Sequence, residues 1–232
     1  SRAPPPLFGY RHPALARVRS RSSASACGPL GQGGNPCIGA STVAPSASTP
    51  VAAPIVIVSF VSLFTLIALG ALERKSPTID EPIHLLAGYS YLKWADFRVN
   101  PEHPPFAKLL AALPLLFLDV KDSRSTNPDW EGIADVKPGA PVSFARNMLF
   151  VDNDAERLFF YAKLPMIGMG MILGFFVFLC AKNIYGLSAA MVALFVYCLD
   201  PNVLAHSQIV HTDVPFATCY FISCYYFWRS LN

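Results

Sequence analysis

Charge is scarce in this chain. Only 14% of its 232 residues are Asp, Glu, Lys or Arg, against 53% hydrophobic. That balance excludes an ordinary soluble domain and points to the membrane class. Acids are absent from residues 1–50, which hold five Arg, while thirteen of the fifteen acids fall in residues 73–156. A basic end and an acidic middle, separated by an apolar run, indicate two sides of a membrane. There is no CxxC among the six cysteines, and the large polar loop has no Cys at all. A disulfide framework and a Cys zinc site are therefore not expected. Cys180, Cys198, Cys219 and Cys224 lie in apolar runs and read as small apolar fillers. HExxH, Walker A and GxGxxG motifs are also missing, which removes zinc-protease, P-loop and Rossmann readings.

Residues 1–50 are rich in Pro, Ser, Ala, Gly and Arg. They cannot bury enough apolar surface to fold, so a disordered tail is expected. Residues 51–72 carry no charge and are long enough to span a hydrocarbon core of about 30 Å. The Arg-rich tail places the N-terminus in the cytoplasm and the following polar loop outside. Further spans are expected at about 158–181, 186–200 and 214–230, with the outer loop over 73–157. Residues 104–118 are apolar but carry Lys108 and are broken by Pro114, so they read as an interfacial or re-entrant helix. From Asp119 to Phe150 the loop is polar, with no strong period. The predicted fold is all-α: a polytopic membrane protein of about four transmembrane helices plus interfacial helices in a large first outer loop. The chain starts at Ser1 and stops at Asn232 directly after an apolar segment, so it is expected to be the N-terminal part of a longer protein.

The stretch from Thr78 to Pro114 follows the first span and gathers the candidate chemistry. Asp80-Glu81 opens a helix, with Asp80 placed either to cap it or to act as a catalytic carboxylate. Glu102-His103 stands before Pro104-Pro105, which fixes a sharp turn. This pair could ligate a divalent metal, contact a phosphate through protonated His103, or simply be solvated. His206, His211 and Asp213 fall in a short outer turn, where Asp213 could instead cap the last span. Counting spans puts Asp80, Glu81, His84, Glu102, His103, His206, His211 and Asp213 on the outer side, with Lys182 and Arg229 inside.

The acidic pair, then IHLLAGYSYLKWADFRVNPEHPPFAKLLAALP, AKNIYGLSAA and DPNVLAHSQIVHTD, resemble the lipid-phosphate-dependent glycosyltransferases of the GT-C class. The protein O-mannosyltransferase and aminoarabinose-transferase branches are the nearest in pattern. The resemblance runs from about Val51 to Asn232. It implies transfer of a sugar from a polyprenyl- or dolichyl-phosphate donor to an acceptor hydroxyl on a protein, lipid or glycan, with inversion. Asp80 matches the acidic residue of the first outer loop, the general base. Glu81 matches its neighbour in the mannosyltransferase branch. Asp213 matches the acid of the second outer loop. Glu102 matches the Glu of a turn that shapes the donor site or binds metal. His103 stands where some relatives carry a lysine near the lipid phosphate. Lys108 is the basic candidate for the leaving phosphate, with Arg146 and Arg157 behind it. The implied setting is an integral membrane of a bacterial inner membrane or endoplasmic reticulum, with the active site outside. No nucleic-acid partner is expected. A transporter fragment is the alternative, but the spans are nearly free of acids; a non-enzymatic anchor would not explain the motif order.

Overall fold

The computed structural model describes residues 52–72 and 74–231. The expected disordered tail, residues 1–50, lies outside them. Among the described residues every regular element is helical. Two of the described helices are long and apolar enough to cross a membrane: α1, Ala52–Leu72, over its stretch Pro54–Leu72, and α6, Ala155–Tyr185. Between them lie α2 (Glu81–Trp94), α3 (Pro105–Ala112) with a 3-10 extension (Leu113–Phe117), α4 (Asp129–Ala134) and α5 (Ala140–Arg146). After α6 come α7 (Leu187–Leu199), α8 (Pro201–His206) and α9 (Asp213–Leu231).

The segment after Pro104 forms a short helix. Pro105 sits in its first turn, where a missing N–H costs nothing, and Leu113-Pro114 tightens its end into a 3-10 turn. Residues 119–150 differ from the irregular loop expected. They form α4, α5 and a π-turn, Asn147–Val151. Helices of six and seven residues are too short to display a period in sequence, and isolated helices of that length are marginal. Packing makes them: Phe144, Ala145, Met148 and Leu149 are buried against Leu85, Leu86 and Leu158 in one cluster. A Phe, Met or Leu side chain of this set stabilises by about 1.5–3 kcal/mol when fully buried. Trp94 and Trp130 close the edge of that cluster edge-on, with the Arg124 guanidinium 4.2 Å over the Trp94 ring.

A second cluster joins the apolar helices, with Phe64 and Ala68 of α1, Ile167 and Phe178 of α6, and Leu194 and Tyr197 of α7. The segment expected to span at 186–200 is more compact than expected. α7 has 13 residues, or about 20 Å of rise, and breaks at Asp200-Pro201. The Asp200 side chain caps the next helix by accepting from the Val203 N–H at 2.8 Å. Gly186, at φ +86°, reverses the chain between α6 and α7. Tyr197 then donates to the Gly170 carbonyl at 2.6 Å, its ring lying where a Cβ on Gly174 would be 2.6 Å away. α8 packs against α7, α1 and α9, and Ser207 just after it lies beside Gly170 of α6. α9 returns parallel to α6, tied by Thr218 Oγ1 to the Met169 carbonyl (3.3 Å) and by Asn183 Nδ2 to the Tyr225 hydroxyl (2.6 Å). The start of α9 therefore lies at the same end as the start of α6.

Candidate functional site

The site is built at that end. α2 begins as expected at Glu81, with Pro82 in its first turn. Asp80 makes no side-chain cap, however; its carboxylate is exposed and only its backbone carbonyl enters the helix, accepting from the His84 N–H. The capping reading of Asp80 gives way to its neighbour. Glu81 is 1% exposed, and its Oε1 accepts from both the N–H and the hydroxyl of Thr78 at 3.3 Å. Thr78 lies before the helix, so these bonds tie the incoming turn to the first residue of α2. Oε2 stands 3.2 Å from Lys163 Nζ on α6, itself nearly inaccessible. Glu81 thus faces the interior, while Asp80 beside it faces out.

Lys108 is also buried, at 1% exposure. Its ammonium donates to the Asn100 carbonyl, to Asn100 Oδ1 at 2.7 Å and to the His103 carbonyl at 3.0 Å. Those contacts use all three N–H donors of a lysine. Burial lowers its pKa from 10.5 to about 8, partly offset by Glu102. Lys108 thus pins the turn that carries Glu102 and His103, both of which are exposed. Arg146 and Arg157 are exposed as well.

The three sequence groups meet at His84. Its ring centroid is 5.2 Å from that of His103 and 5.1 Å from that of His211, the latter edge-on. His211 Nδ1 is 3.0 Å from Asp213 Oδ1, and His206 Nδ1 is 3.7 Å from Asp213 Oδ2. His84 is held neutral: burial first, then His211, Lys108 and His103, lower its pKa to about 4 against a weaker pull from Asp80. Asp213 also lines a cavity of about 430 Å³ with Pro104, Phe106, Ala107, Pro215 and Phe216. That cavity opens between the first turns of α3 and α9 and is almost wholly apolar. Among the described residues no group of three or more His, Cys, Asp or Glu is arranged to hold a metal ion. The metal reading of Glu102 and His103 therefore has no third ligand among them.

Sequence reasoning brought most of these residues to one face but gave His84 and Lys163 no role. The signal for Lys163 was present: a cation near the end of an otherwise apolar run is costly unless paired.

An exposed carboxylate, a histidine cluster and an apolar cavity lie at one end of an all-helical chain, two of whose described helices are long and apolar enough to cross a membrane. Residues 155–232 match the model of the dolichyl-phosphate-mannose-protein mannosyltransferase family. That match covers α6 to α9 and supports a membrane glycosyltransferase, GT-C in type, that uses a lipid-linked sugar donor. No curated protein and no solved structure matches the chain.

Proposed function

We propose that this chain acts in an inverting glycosyltransferase that moves a sugar from a polyprenyl- or dolichyl-phosphate to an acceptor hydroxyl, with Asp80 as general base. The observation that carries the reading is the meeting of α2 with the start of α9. His84 of α2 meets His211, which stands 3.0 Å from Asp213, and Asp213 lines an apolar cavity. The Asp80 carboxylate takes the proton of the acceptor hydroxyl. The freed oxygen attacks the anomeric carbon, the bond from that carbon to the phosphate oxygen breaks, and the lipid phosphate departs from the opposite face. General-base help of this kind contributes about 10²–10⁴-fold. Asp213 is the second carboxylate of the site. The family description supports a mannosyl donor and a protein acceptor. The site faces the luminal or periplasmic side, with the N-terminus in the cytoplasm.

The test is transfer of labelled sugar from a polyprenyl-phosphate donor panel by the full-length protein in membranes. Asp80→Asn should abolish transfer while expression and insertion persist. Transfer at the wild-type rate by Asp80→Asn would refute the base assignment.

A further inference from the structure

Asp80 is exposed and makes no side-chain cap, so something else must fix where its carboxylate stands. The neighbouring residue is fixed twice. Glu81 Oε1 holds Thr78, at the other end of the turn that contains Asp80, and Glu81 Oε2 meets Lys163. Both charged side chains are buried, at 1% and 5% side-chain exposure. A buried charge pair is retained at a desolvation cost and is a means of specifying one arrangement. Lys163 also lies on α6, which carries the second apolar cluster and runs alongside α9. The pair therefore ties the Thr78–Glu81 turn to the same helix that positions Asp213.

We propose that Lys163 is a positioning residue: through its buried ion pair with Glu81 it sets the orientation of the Asp80 carboxylate relative to α6 and α9. Glu81 then acts on Asp80 by holding its turn, without touching substrate. The inference rests on the reading of Asp80 as the base. Losing the pair should misplace the base rather than empty the donor site. A misplacement of about 1 Å costs on the order of 10²-fold in rate.

The experiment uses the full-length protein in membranes, with Lys163→Met, Lys163→Arg, Glu81→Gln and the double variant Glu81→Gln/Lys163→Met. Two readouts are taken: sugar transfer, and trypsin cleavage at the exposed Arg74 and Lys75 just before the turn. The expected result is a fall in kcat on the order of 10²-fold for Lys163→Met with donor KM little changed. Lys163→Arg should recover part of it, and the double variant should be no worse than the poorer single one, because contacting residues are not additive. Trypsin cleavage should quicken in Lys163→Met and Glu81→Gln alike. Wild-type transfer by Lys163→Met, or a double variant whose loss is the product of the two, would overturn the proposal. If the wild type transfers no sugar, the glycosyltransferase reading fails, yet cleavage still decides the pairing: an unchanged rate in both single variants would overturn it.

Discussion

His211 Nδ1 stands 3.0 Å from the Asp213 carboxylate, while the same ring meets His84 edge-on. Asp213 thus lies beside an imidazole of its own turn, and that imidazole meets His84 of α2. Replacing Asp213 by Asn keeps shape and removes charge. Sugar transfer by the full-length protein should drop by about 10²-fold or more, within the range of acid–base contributions. His211→Asn should give a smaller loss, since His206 also approaches Asp213 at 3.7 Å. Initial rates at saturating donor would check both.

His84 supplies a pH dependence of stability. Its pKa is lowered from 6.5 to about 4 in the folded chain, mainly by burial. Between those values the unfolded chain binds a proton that the folded one does not. The contribution is present above about pH 6.5 and is lost as pH falls toward 4, with no further loss below. At 1.36 kcal/mol per unit the ceiling is about 3 kcal/mol. The groups facing His84 are His103, His211, Lys108 and Asp80. Unfolding midpoints in detergent at pH 7 and pH 4.5 should separate more for the wild type than for His84→Gln.

Gly88 of α2 is pressed against the backbone of α3. A Cβ there would lie 2.0 Å from the Lys108 carbonyl oxygen and 2.5 Å from its carbon. Backbone cannot yield as a side-chain tip can, so Gly88→Ala must push α3 away and disturb the Lys108 clamp on Asn100 and His103. The expected destabilisation is about 3 kcal/mol, the upper end of overpacking costs. Gly168→Ala is the control, since nothing lies within 4 Å of its added carbon. Thermal midpoints and hydrogen exchange over residues 100–104 would show loosening in the first variant and none in the second.

The sidedness of the chain can be labelled. Ser125 and Asn202 are exposed, as is Lys182 at the other end of α6, whereas Ser123 and Ser207 are buried and would label poorly. In a cysteine-free background, cysteines at 125 and 202 should react with an impermeant maleimide from one face, and a cysteine at 182 only from the other. Reaction of positions 125 and 202 from opposite faces would refute the common outer site.

The start of α2 at Glu81, the proline-led helix after Pro104 and the long runs of α1 and α6 were legible in the sequence. They depend on local rules: a proline in a first turn, a run without charge, a length that matches a bilayer. The meeting of the histidine groups was half legible, because counting crossings gives an end but not a contact. The helices of residues 129–151 were not legible, since elements of six or seven residues carry too few positions to show a period and exist only because Phe144 and Met148 found a core. Nor could sequence tell which acid of the pair faces outward. Adjacent side chains at a helix start point about 100° apart, and only the fold supplied Lys163 to bury one of them. Sequence alone determined the class of protein and the residues that carry its charge. Tertiary structure decided which of Asp80, Glu81, Lys108 and Lys163 are buried and what they pair with, because burial and pairing depend on partners up to 82 residues away, as Glu81 and Lys163 show.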